Sequence, residues 1–206
     1  MKDAIRKAIL GLAMTGVLVG NVQAETTEDY ISKIRAMDTK QLVQYIKTPE
    51  QAQRYLNTFA RYTSDLEASD FTKNNFELPF EKIHEHVKKF GFFRGDCEEA
   101  QTFANATLSD NGYSKRELVM ILNKKNKENG KYQSHSLYPF QKDGKWGTIG
   151  INNTDYHSAK YPTLEKLCKD SAFEKKIGKV MAYFLKDRSN PDYIPPAKKE
   201  DIKIVK

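Results

Sequence analysis

Cysteine is almost absent from this 206-residue chain, which has two, Cys97 and Cys168. A single pair makes no disulfide framework, so stability has to come from a packed core. Histidine is scarce as well, at four residues. His84 and His86 lie two apart on a predicted helix and share no face, while His135 and His157 stand far off. No zinc-ligand spacing results, and no metal or cofactor is expected. Past residue 24 no apolar run reaches the roughly 20 residues that a membrane-spanning helix needs. Aromatic residues are interleaved with lysine too sparsely for a single-strand stacking surface, so nucleic acid is not an expected partner. There is no internal repeat.

What is present starts with a leader. Lys2, Arg6 and Lys7 precede an apolar run from Ala8 to about Val19, and Val22-Gln23-Ala24 closes it with small residues. This is the layout of a secretory signal peptide cleaved after Ala24, so the chain is expected to be exported to a periplasm or the medium. The formal charge of the whole chain is +7, of which the leader holds Lys2, Arg6 and Lys7 against Asp3. The remainder is mildly basic, its lysines spread in pairs, and suits anionic surroundings such as an envelope polymer. About 180 residues then remain, enough for one domain with helical additions.

Residues 25–75 read as a helical N-terminal region. Asp38 can cap a helix carrying Leu42, Val43 and Ile46, and Thr48-Pro49-Glu50-Gln51 is a strong helix start. A looser polar stretch runs from Thr63 to Asn75. Residues 76–188 read as an α+β domain. Pro79 introduces a helix ended by Gly91, and a second helix starts at Cys97. The segments 117–122, 132–140 and 146–151 read as strands. Helices are expected through Cys168 and again over Ile177, Val180, Met181, Phe184 and Leu185. Residues 189–206, with Pro191, Pro195 and Pro196, read as a tail or extended arm.

Cys97 opens its helix behind Gly95 and the N-cap residue Asp96. There it meets unpaired N–H groups and the positive end of the dipole, both favouring thiolate, the nucleophilic form. A buried inert thiol, or a bridge to Cys168, is the alternative. Asp143-Gly144 between strand-like segments predicts a type I′ hairpin that pairs Lys142 with Lys145 and Phe140 with Trp146 or Gly147. The same count places His135 opposite Asn152, close enough for a side-chain hydrogen bond. A helix-borne cysteine, a strand-borne histidine and an Asn or Asp that fixes the imidazole tautomer are the parts of thiol catalysis. His157 is read as a surface loop residue, and Trp146 as core or as a wall of the site.

The string Arg94-Gly95-Asp96-Cys97-Glu98-Glu99-Ala100, with Gly112-Tyr113, His135 and Gly144-Lys145-Trp146, resembles the transglutaminase-like superfamily. It is most similar to bacterial transglutaminase-like cysteine peptidases. The resemblance covers about residues 78–155. It implies a papain-like α+β core in which a nucleophile helix packs on an antiparallel sheet. It further implies a Cys-His-Asp or Cys-His-Asn triad that makes a thioester from an amide and passes the acyl group to water or an amine. Cys97 then matches the nucleophile and His135 the base. For the third member, hairpin register favours Asn152, while Asp155 has the residue type that usually follows the strand tryptophan. The function expected is an exported thiol enzyme acting on amide bonds of a protein or peptide. The alternative is an inert binding module for an envelope component, and a toxin-like modifier of other proteins is also compatible.

Overall fold

The computed structural model describes residues 25–63, 78–127, 130–152, 155–189 and 202–205. The leader, most of the polar 63–75 stretch and most of the proline-containing tail lie outside them. The described residues from 33 onward form one compact unit, and helix α1 (Thr27–Ala36) starts ahead of it.

Local capping sets the helical part of the larger unit. Asp38 and Gln41 form a reciprocal capping box on α2 (Thr39–Tyr45), each backbone N–H meeting the other side chain at 2.8 Å. Thr48 and Gln51 do the same for α3 (Pro49–Phe59), with Pro49 at the first helical position. The inner face of α3 buries Ala52, Gln53, Tyr55, Leu56 and Phe59. Helix α4 (Phe80–Phe90) buries Phe80, Ile83, His84 and Val87, and ends at Gly91 in the left-handed conformation that glycine adopts most readily. Both helices pack on α5 (Cys97–Leu108), where the Tyr55 and Phe103 rings stack at 4.1 Å between centroids. Strands β1 (Ala60–Tyr62) and β2 (Phe93–Gly95) pair in parallel and lead the chain into Cys97.

The sheet consists of β3 (Arg116–Lys125), β4 (Tyr132–Lys142), β5 (Lys145–Ile149), β6 (His157–Tyr161), β7 (Val180–Asp187) and β8 (Lys203–Ile204). Its order is β6-β5-β4-β3-β7-β8, with every pairing antiparallel. Short helices α6 (Leu164–Cys168) and α7 (Ser171–Ile177) connect β6 to β7. Leu118, Met120 and Leu122 alternate inward from central β3 and form one buried cluster with Leu137, Leu164, Leu167, Cys168 and Val180. Trp146 packs against this cluster half-buried, as a core residue. Helix α5 packs on β4, so the α+β class is as expected. Among the described residues no helix is long and apolar enough to cross a membrane.

One expectation is corrected. The helix expected over residues 180–185 is strand β7. Val180, Ala182 and Phe184 are buried while Met181, Tyr183 and Leu185 are half-buried, a period of two, and Gly178 at φ +101° stops α7 beforehand. A continuous apolar run fits either period, and pairing with β3 decides it. Cys97 and Cys168 are both free thiols, with Cys168 inside the core cluster. Within the stretch read as a tail or extended arm, Lys203–Ile204 adds an edge strand to β7.

Leu118 is fully buried at the centre of the cluster. Leu118→Ala is expected to lower unfolding stability by about 2–5 kcal/mol through lost burial and a residual cavity, measured by urea denaturation.

Candidate active site

The position of Cys97 is built by the cap of α5. Asp96 accepts the Glu98 N–H at 2.7 Å, and Glu99 returns a carboxylate oxygen to the Asp96 N–H at 2.8 Å. The other Glu99 oxygen accepts the Leu78 N–H at 3.1 Å, tying the approach to α4 onto the same turn. Gly95 makes room for this arrangement, because a Cβ there would lie 2.7 Å from Glu99 Cγ. Cys97 is thereby fixed at the first helical position, half-buried, and its sulfur meets the backbone N–H of Ser136 on β4. Ser136 is the chain neighbour of His135, so Cys97 and His135 are related through one strand.

The electrostatics of Cys97 differ from expectation. Burial pushes the thiol up to about 12, the Asp96 carboxylate adds to this, and Glu98 and Glu117 contribute less; the Ser136 N–H opposes them. The resting group is a thiol. The dipole at a helix N-terminus is worth at most about 2 kcal/mol. Losing water around an anion outweighs that, and the cap has already placed carboxylates at the same turn.

His135 Nε2 faces Asp155 Oδ1 at 3.4 Å, with the aspartate side chain only 1% exposed. Burial drives the Asp155 carboxyl upward, but His135, the Asn152 backbone N–H and the charge of Lys176 together hold it below its ordinary value. Asp155 Oδ2 accepts the Asn152 N–H at 3.2 Å and its side-chain amide at 3.4 Å. Thr148 Oγ1 donates to the Asp155 carbonyl at 2.8 Å, and the Asp155 N–H returns to the Asn152 carbonyl at 2.9 Å. Gly150 leaves the carboxylate its place, since a Cβ there would lie 2.3 Å from Asp155 Cβ.

Asn152 is therefore not the group facing His135. The hairpin register holds as predicted from Lys142↔Lys145 through Phe140↔Gly147 to Tyr138↔Ile149, and there β5 ends. Beyond that point the chain turns in to deliver Asp155, while His135 pairs with Met120 of β3. Asn152 serves the carboxylate instead of the imidazole.

Other titratable groups have structural partners. His157 is buried in β6, contrary to the loop expectation, with Nδ1 3.0 Å from the Tyr161 hydroxyl, which in turn donates to Asp170. His84 lies between the Tyr55 hydroxyl and the Met37 carbonyl at 3.2 and 3.1 Å. Among the described residues no group of three His, Cys, Asp or Glu side chains is arranged to hold a metal ion.

Two supports went unread in the sequence. Ser136 Oγ donates to Glu117 at 2.7 Å, and Arg188 Nε lies 2.8 Å from the other Glu117 oxygen. Gln53 on α3 binds both backbone groups of Gly150, its amide donating to the carbonyl at 2.9 Å and its oxygen accepting the N–H at 3.1 Å. A polar residue within the apolar face of α3 was the visible signal, though its target cannot be read from spacing. The chain matches no protein-family model and no curated protein.

Two outcomes follow from these contacts. Asp96→Asn keeps a good N-cap while removing the nearest charge that raises the thiol. Iodoacetamide labelling of Cys97 at pH 8 should accelerate by up to about tenfold, followed by intact mass. Stability contributed by Asp155 is complete above the ordinary carboxylate value of about 4 and is lost as pH falls through its lower folded value. Asp155→Asn should thus remove part of the acid limb of the stability profile below about pH 4, read by thermal melts.

Proposed function

We propose that the protein is an exported thiol enzyme that acts on amide bonds of a protein or peptide through a Cys97 thioester, on a transglutaminase-like core. The observation that carries this reading is a buried carboxylate on one nitrogen of His135, whose strand neighbour touches the Cys97 sulfur. With Nε2–H directed at Asp155, the lone pair is left on Nδ1, the nitrogen free to take a proton.

Because burial keeps Cys97 a thiol, His135 acts as general base during attack and not as half of a standing ion pair. The sulfur adds to the amide carbonyl carbon while its proton passes to Nδ1. The oxyanion is offered the Cys97 N–H, which the Asp96 cap does not use. Collapse breaks the C–N bond, and the imidazolium returns the proton to the leaving amine. Water or a second amine then attacks the thioester as His135 accepts its proton, the C–S bond breaks, and the imidazolium returns that proton to the Cys97 sulfur. Asp155 stays ionised throughout and stabilises the imidazolium. None of these steps calls on a cofactor. The basic composition suits substrates at an anionic envelope.

The raised thiol also favours a second reading, an inert binding module on the same scaffold. Incubation with a peptide-amide library, followed by intact mass, separates the two. The enzyme reading expects an acyl adduct on Cys97 that disappears in Cys97→Ala and falls by at least about 100-fold in rate in His135→Ala. No adduct, with native Cys97 alkylated no faster than buried Cys168, would give the site to the binding module.

A further inference from the structure

We infer that Gln53 is a positioning residue for the imidazole–carboxylate pair, acting on His135 through Gly150 and Asp155. The inference rests on the reading of that pair as a catalytic base and its orienter. Gln53 lies on helix α3, 97 residues from Gly150 in sequence, and is 3% exposed. Its amide satisfies the Gly150 N–H and C=O together, as a paired strand would have done. At that point β5 has ended, so the ladder no longer holds the chain. Gln53 thus stands in for the next strand residue at the place where the backbone leaves the sheet to carry Asp155 inward.

Gly150 transmits this position sterically. A Cβ at residue 150 would meet both Asp155 Cβ and Leu137 Cδ2 at 2.3 and 2.7 Å, so Gly150 is wedged between the aspartate and β4. A small movement of its backbone must move one of them. Leu137 is locked in the core cluster, so a displacement of Gly150 is passed on to the aspartate. The Gln53 amide is oriented in its turn by Asn57 Oδ1, which accepts from Nε2 at 2.8 Å. Helix α3 is accordingly part of the site, although it lies in the region that the sequence reading set apart as residues 25–75.

The test is the tautomer ratio of His135 in the full chain labelled with ¹⁵N-histidine, assigned by comparison with His135→Ala. The wild type is expected to hold Nε2–H, and Asp155→Asn should release that preference. Gln53→Met keeps the side-chain length and removes both bonds to Gly150. It should shift the ratio in the same direction as Asp155→Asn by at least about threefold, the equivalent of one modest hydrogen bond. Gln53→Glu retains an acceptor for the Gly150 N–H and should fall between. A purely structural glutamine would lower the melting temperature and leave the ratio untouched well below it, which overturns the inference. If Gln53→Met does not fold, an unchanged ratio in Gln53→Glu overturns it equally. If Asp155→Asn itself leaves the ratio unchanged, the catalytic reading of the pair fails, a result distinct from failure at Gln53 alone.

Discussion

A carboxylate shut away from water loses several kcal/mol of solvation unless charge and hydrogen bonds replace it. Asp155 is in that position, and the site is arranged around meeting its needs. His135 faces one oxygen and Asn152 serves the other, while Thr148 holds the main chain. Hydrogen bonds to a charged acceptor contribute about 1.5–3 kcal/mol each, so the set is comparable with the loss it offsets. The same arrangement brings the imidazole within 3.4 Å of the buried carboxylate.

At the other end of the site the balance runs differently. The turn that presents Cys97 is held by carboxylates, with Asp96 as cap and Glu99 tying in both Asp96 and Leu78. These contacts give the helix a firm start, and they also place negative charge beside the sulfur. Geometry and reactivity therefore pull against each other at this turn. The outcome is a well-placed thiol that rests protonated, so that in the proposed mechanism the orientation of His135 matters more than it would beside a preformed thiolate.

The features legible in the sequence are those governed by near neighbours. Asp143 and Gly144 both adopt positive φ, as a type I′ turn requires, and the register next to them follows from it. The capping box at Thr48 and the stop at Gly91 are likewise local. The Cys97 helix and the strand bearing His135 were visible for the same reason. The choice between Asn152 and Asp155 was not, because extrapolating a register assumes that the ladder continues, and it stops at Ile149. Strand β7 could be recognised only from its partner β3, and the burial of His157 only from Tyr161 and its surroundings. Gln53 shows the limit most clearly. Nothing within ten residues of it indicates Gly150.

The span from Gln53 to Gly150 bears on the order in which the molecule assembles. Neighbouring strands β3, β4 and β5 close through short connections, and such hairpins form on a microsecond scale. The clasp between α3 and the β5–β6 connection spans 97 residues and carries the entropy of a long loop, which makes it slow and late. The β3–β4–β5 hairpins thus form before that clasp closes. Under the proposed mechanism, a chain caught partway carries the sulfur and the imidazole without the clasp at Gly150, and it stays chemically quiet until α3 docks.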